Sequence, residues 1–471
     1  MGHTKIASLN GEPKALSEES VNELAAGLRG ELLTRESDSY DEARSIWNAM
    51  IDRRPALIAR CAGAADVIRA TRFAVEHGVR VAVRGAGHNI AGTGLCDEGL
   101  VIDLSRMRAV HVDVGAKVAR VEPGATLGDL DHETQAFGLA TPVGINSTTG
   151  IAGLTLGGGF GWLSRKHGLT IDNLRSADVV TADGELRRAS ATENKDLFWG
   201  IRGGGGNFGI VTSFEFALHP VGPEVLSGLV VHPYSKAREV LEHYRSCTQK
   251  SSDNLTVWAV LRKAPPLPFL PTEWHGKEIV ILAAFYAGGM EAGERELKSL
   301  REWGEPIADV IGPHTYAGWQ AAFDPLLTPG ARNYWKSHNF KSLSDGLVKA
   351  VVEYAGRLPS DASEIFLAQV GGATNRVAKN ATAYPHRDVQ FVMNVHTRWS
   401  ERSDDERCIQ WAREYFKATE EFATGGVYVN FIPEDEERVA NAYGANMERL
   451  QELKKKYDPG NLFRVNQNIS T

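Results

Sequence analysis

Three glycine-dense stretches constrain this chain more than anything else in it: "RGAGHN" at 84–89, "LGGGFGW" at 156–162 and "RGGGGNFG" at 202–209. A residue without Cβ lets the backbone turn with positive φ or lie flat against another surface, at an entropic cost that a turn or a ligand has to offset. The last stretch satisfies G-x-G-x-x-G, yet "IVTSFEF" follows it, β-branched and alternating, where a dinucleotide-binding fold needs a helix N-terminus facing the pyrophosphate. It reads as a turn between strands. The middle stretch has no Lys-Ser/Thr pair behind it, which excludes a P-loop; it either packs two backbones together or lets a planar ligand lie against the main chain. In "RGAGHN", glycines at 85 and 87 permit an alternating-hand turn whose successive N–H groups form an anion-binding nest, with His88 inside it.

Around these loops the punctuation is that of helices alternating with short strands. "SEESVNELAAGLRG" opens with a Ser/Glu capping pattern, and "AADVIRATRFAVEHG" ends on Gly78 and hands over at once to the strand "VRVAVRG". Strands follow at "GLVIDL", "KVARVEPG" and "ADVVTADG", with a helix at "TLGDLDHETQAFG". Near residue 220 the character changes: longer alternating segments such as "SDNLTVWAVLRK" and "EIVILAAFYAGG" appear, with helices such as "AREVLEHYRSC". Trp258, Tyr286, Tyr334, Trp335 and Phe340 supply aromatic candidates for a pocket or a core. Three segments are expected, 1–220, 221–435 and 436–471, the last a polar helix ended by "DPGN" and an asparagine-rich tail.

Composition removes several classes of function. With 52 Lys+Arg against 59 Asp+Glu and a net charge of -7, no basic run marks a nucleic-acid or anionic-membrane surface. "IVILAAFYA" is too short to cross a bilayer. Cys61, Cys96, Cys247 and Cys408 make no C-x-x-C pair, so neither a disulfide framework nor a metal site is expected, and a start without an apolar core points to a cytoplasmic protein.

Taken together, "RGAGHNIAGTGLCDEGLVIDLSRM" (84–107), "GINSTTGIAGLTLGGGFGWLSRKHGLTIDNL" (144–174), "DLFWGIRGGGGNFGIVTSFEF" (196–216), "YVNF" (428–431) and "YDPGNLFRVNQNI" (457–469) resemble one group. It is the berberine-bridge-enzyme-like branch of the vanillyl-alcohol-oxidase/PCMH superfamily of FAD-linked oxidases. The resemblance implies an α+β protein: a PCMH-type FAD-binding domain of two α/β subdomains in 1–220, a substrate domain in 221–435 with a large antiparallel sheet covered by helices, and a C-terminal segment, 436–471, returning to the FAD domain. It further implies that His88 holds the 8α-methyl group of FAD while Arg84, Gly85, Ala86, Gly87 and Asn89 cradle the pyrophosphate. Gly153, Gly157, Gly158, Gly159 and Gly161 belong to the segment along the isoalloxazine, 153–161, and Gly150 joins the cofactor site. Gly209, Ile210 and Val211 approach the adenine side, and Asn466 and Asn468 of the tail join the cofactor site. Where many members carry a cysteine that makes a second bond to flavin, this chain has Asn146, so a single covalent link through His88 is expected. Cys96 sits on the pyrophosphate side and is no substitute. Thr149 falls where relatives tune access of O2.

Tyr428 and Asn430 match residues the group places near flavin and substrate. Alternation along "GGVYVNF" as a strand puts both on one face; there Tyr428 acts as a base if its pKa is lowered from about 10. The pattern departs from plant members at Phe431, and "HRDVQFVMNVHTRW" offers Gln390, Asn394 and His396 but no carboxylate. Glu364, on "SEIFLAQVGG", stands as a candidate base, and as a strand-end residue otherwise; His396 reads as a structural histidine or a base. The expected activity is hydride transfer from an activated C–H of an alcohol, amine or electron-rich carbon to flavin N5, with reoxidation by O2 to H2O2. An oxygenase of a natural-product pathway, a dehydrogenase with poor O2 reactivity and a flavin-binding protein with little catalysis are the alternatives. Partners are a small-molecule substrate and O2, in a monomer or homodimer.

Overall fold

The strand that feeds "RGAGHN", Val81–Arg84, forms one edge of a four-stranded sheet. It pairs in parallel with Leu100–Asp103, which pairs in parallel with Leu57–Arg60, and Glu31–Leu33 closes the far edge antiparallel. Parallel neighbours need a crossover, and the helix Ala64–His77 provides it, burying Val67, Ala70, Phe73 and Ala74 in the core beneath the sheet. These positions come from a computed structural model, which describes residues 3–433 and 439–470.

A second sheet of five antiparallel strands runs in the order Leu186–Ser190, Leu174–Val180, Ile210–Ala217, Val118–Val121, Val110–Asp113. "IVTSFEF" is thus a strand, as its alternation predicts, and the glycine run before it is a turn. The helix Leu127–Gln135 opens with a capping box between Thr126 and Asp129. The polar C-terminal helix is interrupted: Val439–Tyr443 gives way to a 3-10 turn, Gly444–Asn446, before Met447–Tyr457, and the expected start at 436 lies outside the described residues. Met447–Tyr457 packs Leu450, Leu453 and Tyr457 against Phe198, Trp199 and Phe208. Its Lys454 is fully buried and donates to Asp458 (2.6 Å), to the Asn207 carbonyl (3.0 Å) and to the Phe463 carbonyl (2.9 Å), tying the tail to the third glycine loop.

The third sheet is antiparallel and eight-stranded, built mainly from Glu224–Pro233, Leu255–Lys263, Glu278–Tyr286, Arg332–Phe340, Glu364–Gln369 and Phe391–Trp399. Strand periodicity splits its side chains between two faces. Leu226, Val257, Leu261, Leu282, Ile365 and Val395 meet the helices Ala237–Lys250, Met290–Arg301, Asp345–Ala355 and Asp405–Thr419 in one core. Of the five aromatic candidates, Tyr286, Tyr334 and Phe340 lie in that core. Trp258 and Trp335 stand on the opposite face, which looks back toward the glycine loops. Among the described residues no helix is long and apolar enough to cross a membrane, and no group of His, Cys, Asp and Glu is placed to hold a metal ion.

Candidate active site

Strand register arranges the open face of the large sheet in rows. One row reads Arg262, Glu364, His396, Trp335 across four neighbouring strands. The next reads Val231, Ile281, Val260, Phe366, Asn394, Ser337, and the one after it begins Leu229, Ala283, Trp258. Charge is therefore confined to one row, and the neighbouring rows are mainly apolar, with Asn394 a polar member that lines the cavity and has a buried Oδ1 without a hydrogen-bond partner among the described residues. Arg262 bonds one Glu364 oxygen at 2.7 Å and His396 Nδ1 meets the other at 3.0 Å. Burial works to raise the proton affinity of Glu364, but the Arg262 charge, the His396 bond and the Arg398 charge outweigh it and hold the carboxyl down at about 2.

Facing this wall, the 85–89 loop carries His88 into the same cavity, a space of about 650 Å³. Gly87 has φ +76 and supplies the left-handed step of the turn; Gly85 does not enter that region. The His88 ring stacks on Trp47 with centroids 4.4 Å apart, and Trp47 donates through Nε1 to the Leu327 carbonyl at 2.8 Å. Asn48 beside it donates to the carbonyls of Ile90 (2.9 Å) and Asn333 (3.0 Å), pinning the loop to the large sheet. Burial, helped by the charge of Arg398 and by His396, pushes the His88 imidazole down to about 4, so it is neutral at physiological pH.

Tyr428 and Asn430 enter the cavity from another side. The expected strand is absent: Tyr428 is extended, but Val429–Phe431 is a 3-10 turn, and the two side chains meet through the turn rather than through alternation. Asn430 Nδ2 donates to the Tyr428 hydroxyl at 3.0 Å and to the Leu154 carbonyl at 3.1 Å. Gly159 N–H donates to the same hydroxyl at 3.0 Å. A Cβ on Gly157 would lie 2.2 Å from Asn430 Oδ1, so this glycine is what lets the turn close on the "GGGFG" loop. Burial pushes the Tyr428 phenol up to about 12 against those two hydrogen bonds. The condition under which Tyr428 acts as a base, a lowered pKa, is not met. Glu364 fails for the opposite reason: a carboxylate held near 2 with both oxygens engaged accepts a proton poorly near neutrality.

The other sequence-derived candidates divide cleanly. Gly85, Ala86, Gly87, Asn89, Asn146, Thr149, Gly150, Gly153, Gly157, Gly209, Ile210, Val211 and Asn466 line the cavity with His88. Arg84 also reaches it; its guanidinium donates through one nitrogen to the Ala43 carbonyl, while its buried Nε has no hydrogen-bond partner among the described residues. Gly158, Gly159, Gly161 and Asn468 do not line it: Gly158 lies against the rings of Tyr384 and Tyr428, Gly159 serves through its N–H, and Gly161 abuts the Val143 carbonyl. None of the four cysteines lines the cavity. Sequence reasoning missed Trp47, Arg262 and Arg398, whose nearness to His88 and His396 depends on register and on chain segments hundreds of residues apart. Composition carries no trace of it.

The cavity suits FAD. Its glycine-lined side presents bare backbone to a flat or anionic group, and buried polar atoms along it have no hydrogen-bond partner among the described residues, including His88 Nε2 and Asn466 Oδ1. Residues 55–190 match the family model described as FAD binding domain, and residues 427–470 match the one described as berberine and berberine like. An FAD-linked oxidoreductase of Dictyostelium discoideum is 30% identical over 452 residues, covering 95% of this chain and 96% of its own. Among solved structures, 6-hydroxy-D-nicotine oxidase from Arthrobacter nicotinovorans is 28% identical with a TM-score of 0.85, over 94% of this chain and 98% of that one. Xylooligosaccharide oxidase from Myceliophthora thermophila, in complex with xylobiose, is 26% identical with a TM-score of 0.83, over 96% and 99%. The molecule is an FAD-binding oxidoreductase with the PCMH-type architecture. More narrowly, the chain belongs to the berberine-bridge-enzyme-like family of FAD-linked oxidoreductases.

Proposed function

We propose that this protein is an oxidase of apolar or aromatic alcohols or amines, with FAD attached through His88 alone. Bound FAD supplies a two-electron acceptor that takes hydride from the substrate carbon and passes the electrons to O2, releasing H2O2. The observation that carries the reading is the confinement of charge on the substrate wall to the single row Arg262, Glu364, His396, while Val260, Phe366, Ile281, Val231 and Trp258 make the neighbouring rows mainly apolar, with Asn394 as a polar member. A polyhydroxylated sugar would leave hydroxyls unpaired against such a surface, at a cost of roughly 1–3 kcal/mol each. A ring or alkyl body would gain from it. Attachment through His88 is supported by its buried, neutral imidazole, and the single link by Asn146, whose Oδ1 accepts from Thr148 N–H at 3.0 Å and cannot form a thioether. Tyr428 keeps its proton and, with its oxygen already accepting two bonds, turns its O–H toward the cavity as a donor that orients substrate.

The test has two parts. Denatured holoprotein is digested and its peptides weighed: flavin mass on the peptide carrying His88, and nowhere else, is the expected result. The intact protein is then mixed with benzylic and allylic alcohols, arylalkylamines and xylobiose. Bleaching of the flavin with peroxide release by the first two classes, and none by xylobiose, is expected; bleaching by xylobiose alone would overturn the substrate assignment.

A further inference from the structure

His396 is a titratable group on the substrate wall whose geometry leaves a buried nitrogen free for substrate. Its Nδ1 is bonded to Glu364 at 3.0 Å, and because that carboxylate is ionised, the nitrogen facing it carries the proton. This fixes the tautomer and leaves the Nε2 lone pair unshared. Nε2 is buried, has no hydrogen-bond partner among the described residues, and belongs to a residue lining the cavity. Trp335 packs against the ring edge-on at 4.9 Å and keeps it from turning. The charged and titratable groups around it are Glu364 on the neighbouring strand, Arg262 one strand further, Arg398 on its own strand, His88 on the opposite loop and Tyr428 on the 3-10 segment.

We infer that His396, oriented by Glu364, is the base that takes the hydroxyl or amine proton of the substrate as the adjacent carbon is oxidised. The proton moves from substrate O–H or N–H to Nε2, and the electron pair of that bond becomes the second bond of the new C=O or C=N. The C–H bond breaks and its hydrogen leaves with both bonding electrons as hydride, which the FAD of the proposed oxidase would accept; the imidazolium is stabilised by Glu364 until it returns its proton to solvent. Glu364 and Arg262 are positioning residues: the first sets tautomer and charge, the second keeps the first ionised. The inference rests on the oxidase reading, and its test has a readout that does not.

That readout is the ionisation of 4-nitrophenol bound in the holoprotein, followed by its visible absorption as pH is raised. Wild type should ionise the bound phenol at lower pH than buffer does, and His396→Asn should lose the effect. With a benzylic alcohol that bleaches the flavin, His396→Asn should slow flavin reduction by about 10²–10⁴-fold. Glu364→Gln should slow it less and move the acid limb of the pH profile to lower pH, because the imidazolium loses its counter-charge. A His396→Asn protein that holds flavin, ionises the bound phenol as wild type does or reduces flavin at the wild-type rate, overturns the inference. So does a Glu364→Gln profile whose acid limb stays in place, and this variant decides the matter if Asn at 396 prevents folding. If no alcohol or amine bleaches the flavin while the phenol still ionises through His396, the substrate reading falls and the base assignment stands.

Discussion

At the residue scale, the site works by holding each proton where the reaction needs it. Tyr428 accepts hydrogen bonds from Gly159 N–H and Asn430 Nδ2, both at 3.0 Å, so removing its hydroxyl leaves the buried Gly159 N–H without an acceptor and Asn430 Nδ2 with the Leu154 carbonyl alone. Unpaired buried groups of this kind cost about 1–3 kcal/mol. Tyr428→Phe should therefore lower kcat/KM by roughly ten- to a hundredfold and also lower the urea midpoint, since the donors belong to the folded state itself. Stopped-flow flavin reduction and an unfolding curve on the same preparation check both; a variant with full stability and full activity would mean that the pair of bonds is ornamental.

At the element scale, short turns decide how close the parts of the molecule approach. Gly157 ends the helix Ile151–Leu156, and its missing side chain admits Asn430. Gly157→Ala should push the 3-10 turn away, lengthen the Asn430 to Tyr428 bond and cut flavin reduction by about tenfold, with a smaller effect on melting. Parallel measurement of rate and melting temperature tests it. Local signals made much of this scale legible in the sequence: the Ser17 cap, the Gly78 stop, the period-two strands and the "RGAGHN" turn all have causes within a few residues. What was not legible depends on distant pairing. A two-residue spacing put Tyr428 and Asn430 on one face of a strand, and the same neighbourhood arises from a 3-10 turn because the pocket, not the local pattern, sets the backbone there. The row Arg262, Glu364, His396 is invisible in one dimension, since its members come from three strands whose register is fixed by the whole sheet; for that reason Glu364 stood as a candidate base or a strand-end residue, with no sign of its bonds to Arg262 and His396.

At the scale of the whole molecule, burial of neutral histidines sets the response to acid. Burial pushes His167 down to about 3 and His232 and His386 down to about 4, well under the ordinary 6.5 or so. Between those values the unfolded chain takes up protons that the folded one refuses, so this stability is whole above about pH 6.5 and is lost as pH falls toward 4. Asp131 acts in the opposite sense: burial raises it to about 7, so it favours the fold on the acid side and partly offsets the histidines. Urea midpoints taken from pH 8 to pH 5 should fall, and Asp131→Asn should make the fall steeper; an equal or shallower slope in the variant would refute the assignment. One arrangement bears on how the protein is made. Residues from Val83 to Asn89, most of those from Gly205 to Val211 and most of those from Phe463 to Gln467 wall the same cavity. The ribosome releases the first of these some 380 residues before the last, by difference of their numbers. A growing chain accordingly has no complete seat for its flavin, and cofactor loading becomes a step that follows synthesis, open to control by whatever sets the supply of FAD at that moment.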